Sequence, residues 1–266
     1  MVALVWQLVQ LTDTIGTLLD VLSLIVLTGL GWFLLFRCSK VERERMFVLI
    51  LLTLSTVVFW ALFEQGAGSM TLYADRVTDK TLFGMTLTAA QFGAANSFFI
   101  FSLAPLFAML WIRLGQRGWE PSTPVKFSLG IAQAGLGFGA LVYGAQFPDQ
   151  AGVVSAWWLI VAYLLHTTGE LCLSPVGLSA VTKLAVPSVV GVMMGTWFLA
   201  SAYSSYVAAQ IATIAARPAN EGSLNLTDAL SGYTELFSQL LTIGLAGGAV
   251  LLVLSPVLKR MMHGVR

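Results

Sequence analysis

The sequence predicts an all-α, multi-pass membrane protein. Of its 266 residues, 57% are hydrophobic and only 10% are charged, whereas about 25% of a typical soluble domain is charged. The uncharged runs are mostly long enough for a helix to cross a hydrocarbon core of ~30 Å. The ten-residue alternating pattern of a membrane β-barrel is missing. The spans are therefore predicted to be helices, which satisfy their own backbone hydrogen bonds in lipid.

Seven uncharged runs predict seven transmembrane helices. They are residues 21–36, 46–63, 81–112, 127–148, 150–169, 184–216 and 236–258. The first run is short for a span unless flanking residues join it, and a charged hinge at 37–45 separates it from the other six. We expect an external N-terminal segment at 1–16, one helix at 17–37 and a six-helix bundle at 44–262.

Lys and Arg are divided unequally between the two sides of these spans. One set of loops, together with the C-terminus, holds eleven basic residues, and the other set holds three. Basic residues near span ends are retained on the cytoplasmic side. The N-terminus is therefore predicted to lie outside and the C-terminus inside, which agrees with an odd number of spans.

Composition and spacing argue against several other functions. A net charge of +1 with scattered basic residues gives no surface for nucleic acid. Cys38 and Cys172 lie far apart, so no disulfide framework or thiolate metal site is indicated. No metal-ligand spacing, phosphate loop or nucleophile with its base can be assembled, so we expect neither an enzyme nor a metal centre.

Pairs of glycines four residues apart recur in the spans. They are Gly135 and Gly139, Gly191 and Gly195, and Gly244 and Gly248. Such pairs let helix backbones approach closely in membranes. The run from Gly135 to Gly139 lacks the strand and helix context of a nucleotide loop, so we interpret it as helix packing.

Two carboxylates interrupt otherwise apolar segments. Glu64 and Glu170 lie where a charge costs on the order of 2.5 to 3.5 kcal/mol. Such residues normally face a bundle interior or a wet cavity and serve an ion or substrate path. Burial favours the neutral acid and a nearby cation favours the anion, so a carboxylate in a changing cavity can bind and release a proton.

The segment around Glu170 combines polar and helix-loosening residues. His166 lies four residues before Glu170 and shares its helix face; we favour a neutral, hydrogen-bonded histidine there. Gly169, Pro175 and Gly177 would loosen the helix, which suggests a gate. Other polar or aromatic groups that suggest a solute pathway are Gln65, Gln91, Asn96, Trp197, Ser201, Ser204, Ser205 and Gln210.

Four strings resemble the proton-dependent oligopeptide transporter family of the major facilitator superfamily. They are FWALFEQGAGSMTLYAD at 59–75, QFGAANSFFIFSLAPLFAMLW at 91–111, GELCLSPVGLSAVTKLAVP at 169–187 and GVMMGTWFLASAYSSYVAAQ at 191–210. Their order resembles the C-terminal six-helix half of that family, and the first span resembles a linker helix of prokaryotic members. The resemblance implies a multi-pass carrier in the cell (inner) membrane.

The resemblance also implies roles for single residues. Glu64 would be the proton-coupling carboxylate, and Asn96 and Glu170 would hold the amino group of a bound peptide. Trp197 would line a side-chain pocket, and Ser201 would border the same cavity. The proton gradient would supply the energy, and no cofactor is expected. Where an Asn-Pro pair is expected in the family pattern, this sequence has Asn96 and Ser97.

The family's Glu-x-x-Glu-Arg motif does not occur in these 266 residues. We therefore expect this chain to be the C-terminal half of a proton-coupled di- or tripeptide symporter that does not transport without an N-terminal six-helix half. The alternative is a non-transporting membrane subunit, or the remnant of a carrier for another small solute. No Lys or Arg lies within a predicted span, which favours an amine-bearing substrate over an anion.

Overall fold

The computed structural model describes residues 12–82, 84–216 and 226–265, and this part of the chain is almost entirely helical. Seven long helices and one short helix follow one another along the chain. They are α1 (Thr12–Phe36), α2 (Lys40–Phe63), α3 (Ser69–Val77), α4 (Ala94–Gln116), α5 (Thr123–Gly144), α6 (Trp157–Leu184), α7 (Val190–Ala216) and α8 (Leu226–Met261). Short 3-10 turns lie at Glu64–Gly66, Ala89–Gly93 and Pro187–Val189.

Four two-residue strands lie in the loops at one end of the bundle. They are β1 (Thr78–Asp79), β2 (Thr81–Leu82), β3 (Met85–Thr86) and β4 (Val154–Ser155). β1 pairs with β4 in parallel, which joins the loop after α3 to the loop between α5 and α6. β2 and β3 form an antiparallel hairpin, and Gly84 adopts a φ of 77° within its turn.

The starts of two helices differ from the predicted ones, which were based only on the positions of charged residues. α1 begins at Thr12 rather than at residue 17. Residues 1–11 of the predicted N-terminal segment lie outside the described residues. The third predicted span begins at Ala94 rather than at residue 81, since β1, β2, β3 and a 3-10 turn lie between residues 78 and 93.

Six helical segments in the described part of the chain are long and apolar enough to cross a membrane. The segment that this criterion leaves out is α7, a 27-residue helix that carries hydroxyl and amide side chains. α6 and α8 end at the same end of the bundle. Lys183 near the end of α6 and Lys259 near the end of α8 each line a cavity together with Lys126. α8 begins at the opposite end, so α7 must also cross, as the sequence predicts.

The basic loops meet at one end of the bundle. The Arg45 guanidinium donates a hydrogen bond to the carbonyl of His263, with 3.3 Å between nitrogen and oxygen. Arg76 and Lys80 lie at the other end, beside β1. The two sets of basic residues that alternate along the sequence therefore lie at opposite ends of the bundle. Arg217 and Arg266 lie outside the described residues.

α5 lies at the centre of the packing, and its glycines face two neighbours. Gly130, Gly137 and Gly144 recur every seven residues and contact α6. Gly135 faces α8, where a Cβ would lie 2.9 Å from the Cα of Gly244. The hydroxyl of Ser128 donates a hydrogen bond of 2.7 Å to the carbonyl of Gly248.

These contacts confirm close helix packing for the glycines of α5 and α8. The same prediction is wrong for Gly191 and Gly195 of α7. Both are exposed, and a Cβ at either would meet nothing within 4 Å in the described structure. The reason is that they lie on the side of α7 that is turned away from the bundle.

Candidate functional site

Glu64 lies at a break in its membrane span. α2 ends at Phe63, a 3-10 turn occupies Glu64–Gly66, and the helix resumes as α3 at Ser69. A break frees backbone carbonyls, which need other partners in a membrane. The carbonyl of Gly66 accepts hydrogen bonds from Tyr163 at 2.9 Å and from Thr71 at 2.8 Å. The break is therefore held by specific side chains.

Gln65 fixes this turn against α7. Its buried amide nitrogen donates to the carbonyls of Ala61 at 3.2 Å and Ala208 at 3.0 Å. The hydroxyl of Ser69 donates to the Gln65 amide oxygen at 2.8 Å. Gln65 therefore serves the local structure, and the Glu64 side chain beside it is left to face a cavity.

A hydroxyl of α7 contacts the Glu64 carboxylate. Ser205 Oγ lies 2.8 Å from Glu64 Oε1 and 3.2 Å from the carbonyl of Ser201. Because a hydroxyl carries one proton, Ser205 donates to one of these acceptors at a time. It can donate to an ionised Glu64, or accept from a protonated Glu64 while it donates to the Ser201 carbonyl.

Glu64 lines a cavity of about 420 Å³, a size within the range of small-molecule sites. The cavity is enclosed by the broken span, the start of α4 and the middle of α6. Its lining residues are Phe63, Glu64, Gly66, Ala67, Thr71, Ala90, Gly93, Asn96, Tyr163 and His166. The structure thus brings together Glu64, Asn96 and His166, and none of these lining residues is Lys or Arg.

Asn96 is oriented by a threonine of α6. The hydroxyl of Thr167 lies 2.6 Å from Asn96 Oδ1 and 2.8 Å from the carbonyl of Tyr163. When the Thr167 hydroxyl donates its single proton to Asn96, the hydrogen bond holds the amide oxygen in place. When Thr167 instead donates to the Tyr163 carbonyl, the Asn96 amide must turn over before its NH2 group can donate to Thr167, and the amide oxygen then faces away from Thr167.

His166 is buried beside this cavity. Its ring packs on Gly137 and lies 5.0 Å from the ring of Phe138, centroid to centroid. No described residue hydrogen-bonds to its Nε2. The ring therefore leaves one polar nitrogen without a partner next to the cavity.

Glu170 lies one turn after His166 and is half-buried. Its Oε2 is buried and has no hydrogen-bond partner among the described residues. Glu170 is not among the residues that line the 420 Å³ cavity. An acceptor left unsatisfied in this way costs about 1–3 kcal/mol, and more when it is charged, so a hydrogen-bond donor is expected there.

Trp197 and Ser201 do not line this cavity. The Trp197 ring is buried against Gly177 and forms an edge contact with Phe127, 6.4 Å between centroids. The hydroxyl of Ser201 lies 3.3 Å from the carbonyl of Trp197. The contact of these two residues with substrate stays a prediction.

The residues predicted to form a gate lie in an uninterrupted helix. α6 runs from Trp157 to Leu184 and includes Gly169, Pro175 and Gly177. Gly169 permits close approach to α5, because a Cβ there would lie 2.7 Å from the carbonyl oxygen of Gly130. Gly177 makes room for the indole of Trp197. Their role in gating stays a prediction, and the observed break lies beside Glu64.

Gln91 has a local role instead of lying in a solute pathway. It is exposed, and its amide oxygen accepts a 2.7 Å hydrogen bond from the backbone of Thr88 at the start of a 3-10 turn. Sequence reasoning missed Thr167 and Tyr163, and it named Ser205 only as a group of the solute pathway and not as the partner of Glu64. Their only sequence signal is a polar group within an apolar span.

Across the residues that the structure describes, no cluster of three metal-ligating side chains occurs.

The sequence and the structure both match known transporters. A family model described as the POT family matches residues 9–230. Uncharacterized transporter YclF of Bacillus subtilis (strain 168) is 38% identical over 97% of this chain and 48% of its own length. Dipeptide and tripeptide permease B of Aliivibrio fischeri (strain MJ11) is 34% identical over 91% of this chain and 49% of its own length.

Solved structures agree with these relatives. A crystal structure of peptide transporter POT in complex with sulfate superposes with a TM-score of 0.79 at 32% identity, over 95% of this chain and 48% of that chain. A POT family transporter in complex with 5-aminolevulinic acid gives 0.78 at 27% identity, over 97% and 52%. The chain spans about half the length of the curated relatives it matches.

Proposed function

The chain belongs to the POT family, and on this premise we propose that its helices form the C-terminal half of a carrier that moves di- and tripeptides together with protons. The observation that carries the proposal is the cavity that Glu64 and Asn96 line together. Glu170, with its unpartnered oxygen, lies one turn beyond His166 of the same cavity. The two carboxylates and the Asn96 amide oxygen accept hydrogen bonds. The ammonium group of a peptide donates hydrogen bonds, and its charge is opposite to that of the carboxylates.

The amino group of the peptide is proposed to bind Asn96 and Glu170. A carboxylate gives the stronger, charge-assisted hydrogen bond to an ammonium. Asn96 can add its amide oxygen, because that oxygen has two lone pairs and can accept from the ammonium while it accepts from the Thr167 hydroxyl. That a solved relative carries 5-aminolevulinic acid, itself a primary amine, supports an amine-bearing substrate.

Glu64 is the proposed proton carrier. Its hydrogen bond from Ser205 favours the ionised form, because a hydrogen bond donated to a carboxylate stabilises the anion. Loss of that contact as the helices move would favour the neutral acid. A carboxylate whose partner changes in this way can take a proton on one side and release it on the other.

Transport is proposed to require a second six-helix half, which closes the cavity and supplies the groups for the peptide carboxyl end. The two halves would then rock about the shared site to give alternating access. We place the protein in the cell membrane, with the N-terminus outside and the basic end in the cytoplasm. That orientation follows from the retention of basic residues on the cytoplasmic side.

The test is proton-driven uptake of a labelled dipeptide into vesicles. It compares this chain alone, this chain with a separate N-terminal six-helix half, and the same pair with Glu170→Ala. We expect uptake only with the second half present, and its loss in the variant. Uptake by this chain alone would refute the requirement for a second half. No uptake by the assembled, folded pair would refute the peptide carrier and favour a non-transporting subunit or another solute.

A further inference from the structure

A basic cavity lies at the end of the bundle opposite the strands, away from the Glu64 cavity. It encloses about 540 Å³ between the loop before α5, the start of α5 and the end of α8. Its charged lining residues are Glu120, Lys126, Lys259 and Arg260. A second cavity of about 370 Å³ shares Glu120 and Lys126 with the first, so the two form one polar recess.

Lys126 is already neutralised within this recess. Its ammonium forms a salt bridge with Glu120 and lies 4.6 Å from the centre of the Trp111 ring. The Lys126 side chain is only 7% exposed, so this pair forms the floor of the cavity. The remaining charge of the recess therefore comes from other residues.

Lys183 lines only the second cavity, and the other cations of the first cavity are Lys259 and Arg260. Both are exposed, and neither forms a salt bridge with a described residue. They are placed on α8 just where this transmembrane helix ends. Two cations beside a cavity at that level lie at the depth of lipid headgroups.

Apolar surface continues from these cations into the membrane span. Val253 is 77% exposed and Val257 is 54% exposed, and residues four apart share one face of a helix. Trp119, next to Glu120, is 73% exposed, and tryptophan is enriched at membrane interfaces. A ligand with an anionic head and an apolar tail matches this arrangement better than a small anion does.

We propose that the recess between the start of α5 and the end of α8 binds the phosphate of an anionic phospholipid, with Lys259 and Arg260 as the contacts and an acyl chain along Val253 and Val257. A phospholipid headgroup and a soluble phosphate ester both carry a phosphate ester group, and the experiment below distinguishes these two ligands. The inference is independent of peptide transport, since the recess lies at one end of the bundle and none of its residues lines the Glu64 cavity.

The test measures lipid binding to the purified full chain in detergent by native mass spectrometry. Phosphatidylglycerol is compared with phosphatidylcholine of identical acyl chains, and glycerol 3-phosphate and inorganic phosphate form the soluble arm. The variant is Lys259→Gln with Arg260→Gln. The matched control is Lys40→Gln with Arg43→Gln, which removes two exposed basic residues at the same end that do not line the recess.

We expect the protein to prefer phosphatidylglycerol, and each lost contact to weaken its binding about fivefold. The control variant should keep the preference. An unchanged preference in the Lys259 and Arg260 variant would overturn the assignment. Binding of glycerol 3-phosphate without any lipid preference would overturn the lipid as the source and assign the recess to soluble phosphate esters.

Discussion

The hydroxyl of Ser205 lies 2.8 Å from a carboxylate oxygen of Glu64. This contact joins α7 to the break between α2 and α3, and therefore two segments that are more than a hundred residues apart in the chain. An acid in a membrane span is costly when it has no partner. Ser205 supplies a partner that can either donate to the carboxylate or accept from the neutral acid.

Ser205→Ala removes this partner from Glu64. We expect proton-driven dipeptide uptake by the assembled carrier to fall about tenfold, because a hydrogen bond to a charged group is worth ~1.5–3 kcal/mol. The measurement is the initial uptake rate in vesicles under an imposed pH gradient. Peptide exchange without a gradient should fall much less, since the change acts on the proton step.

Ser204→Ala is the matched control for that variant. Ser204 is buried, and its hydroxyl donates to the carbonyl of Ala200 in its own helix at 2.6 Å. Loss of such an intrahelical bond has little cost, so uptake should stay within about twofold of the parent. Equal losses in the two variants would show that α7 tolerates neither change and that the Glu64 contact has no special role.

Thr167→Val should weaken peptide binding through Asn96. Valine has the shape of threonine but cannot hydrogen-bond, so the Asn96 amide loses the group that orients it. We expect the KM for a dipeptide to rise about threefold to tenfold, as for one lost hydrogen bond of ~1 kcal/mol. The maximal rate should change little.

Thr168→Val provides the comparison for Thr167. The hydroxyl of Thr168 donates to the carbonyl of Leu165 within α6 at 3.1 Å, and Thr168 does not line the Glu64 cavity. Its KM should match that of the parent. If Thr167→Val also left KM unchanged, the proposed role of Asn96 in holding the substrate would be wrong.

Charge and hydropathy were sufficient to predict the architecture. Charges are too costly inside lipid to be placed freely, so the uncharged runs mark the spans, and the basic residues mark one end of the bundle. The intramembrane acid Glu64 could be identified for the same reason. It does line a cavity, together with Asn96 and His166.

The direction in which a side chain points could not be predicted. Trp197 and Ser201 share a helix face by spacing, yet the indole of Trp197 is buried on Gly177. That outcome depends on how close α6 and α7 approach, which no local pattern encodes. Likewise, Ser201, Ser204 and Ser205 look alike in sequence, and only the packing of α7 selects Ser205 as the partner of Glu64.

Gly177→Ala should destabilise the protein by forcing the Trp197 ring to move. A methyl group at this position would overlap the indole, which is itself buried. Such overpacking costs about 1–3 kcal/mol, so thermal unfolding in detergent should shift to lower temperature. Adding Trp197→Leu should recover part of this loss, because the smaller side chain leaves room for the methyl group.

The control for Gly177 is Gly191→Ala in the neighbouring helix. A Cβ at Gly191 meets no atom of the described residues within 4 Å, and alanine is the better helix former. The unfolding temperature should therefore stay the same or rise. Equal stability of the two variants would contradict the contact between Gly177 and Trp197.

Labelling of Cys38 tests the proposed orientation. Cys38 lies in the hinge between α1 and α2 and is half-buried, whereas Cys172 is 3% exposed. A membrane-impermeant maleimide should label Cys38 in inside-out vesicles and not in right-side-out vesicles. Cys172 should react only after unfolding, and Cys38→Ser should abolish the labelling of the folded protein.

The pH dependence of that labelling follows from the surroundings of Cys38. Burial, helped by the Glu42 carboxylate, raises the pKa of the Cys38 thiol, and Arg43 opposes this effect only in part. The thiolate is the reactive form, so at neutral pH little of Cys38 reacts. The labelling rate should rise about tenfold per pH unit and keep rising beyond the usual cysteine pKa of about 8.5. A plateau near pH 8 would contradict the raised pKa, and labelling only in right-side-out vesicles would reverse the proposed orientation.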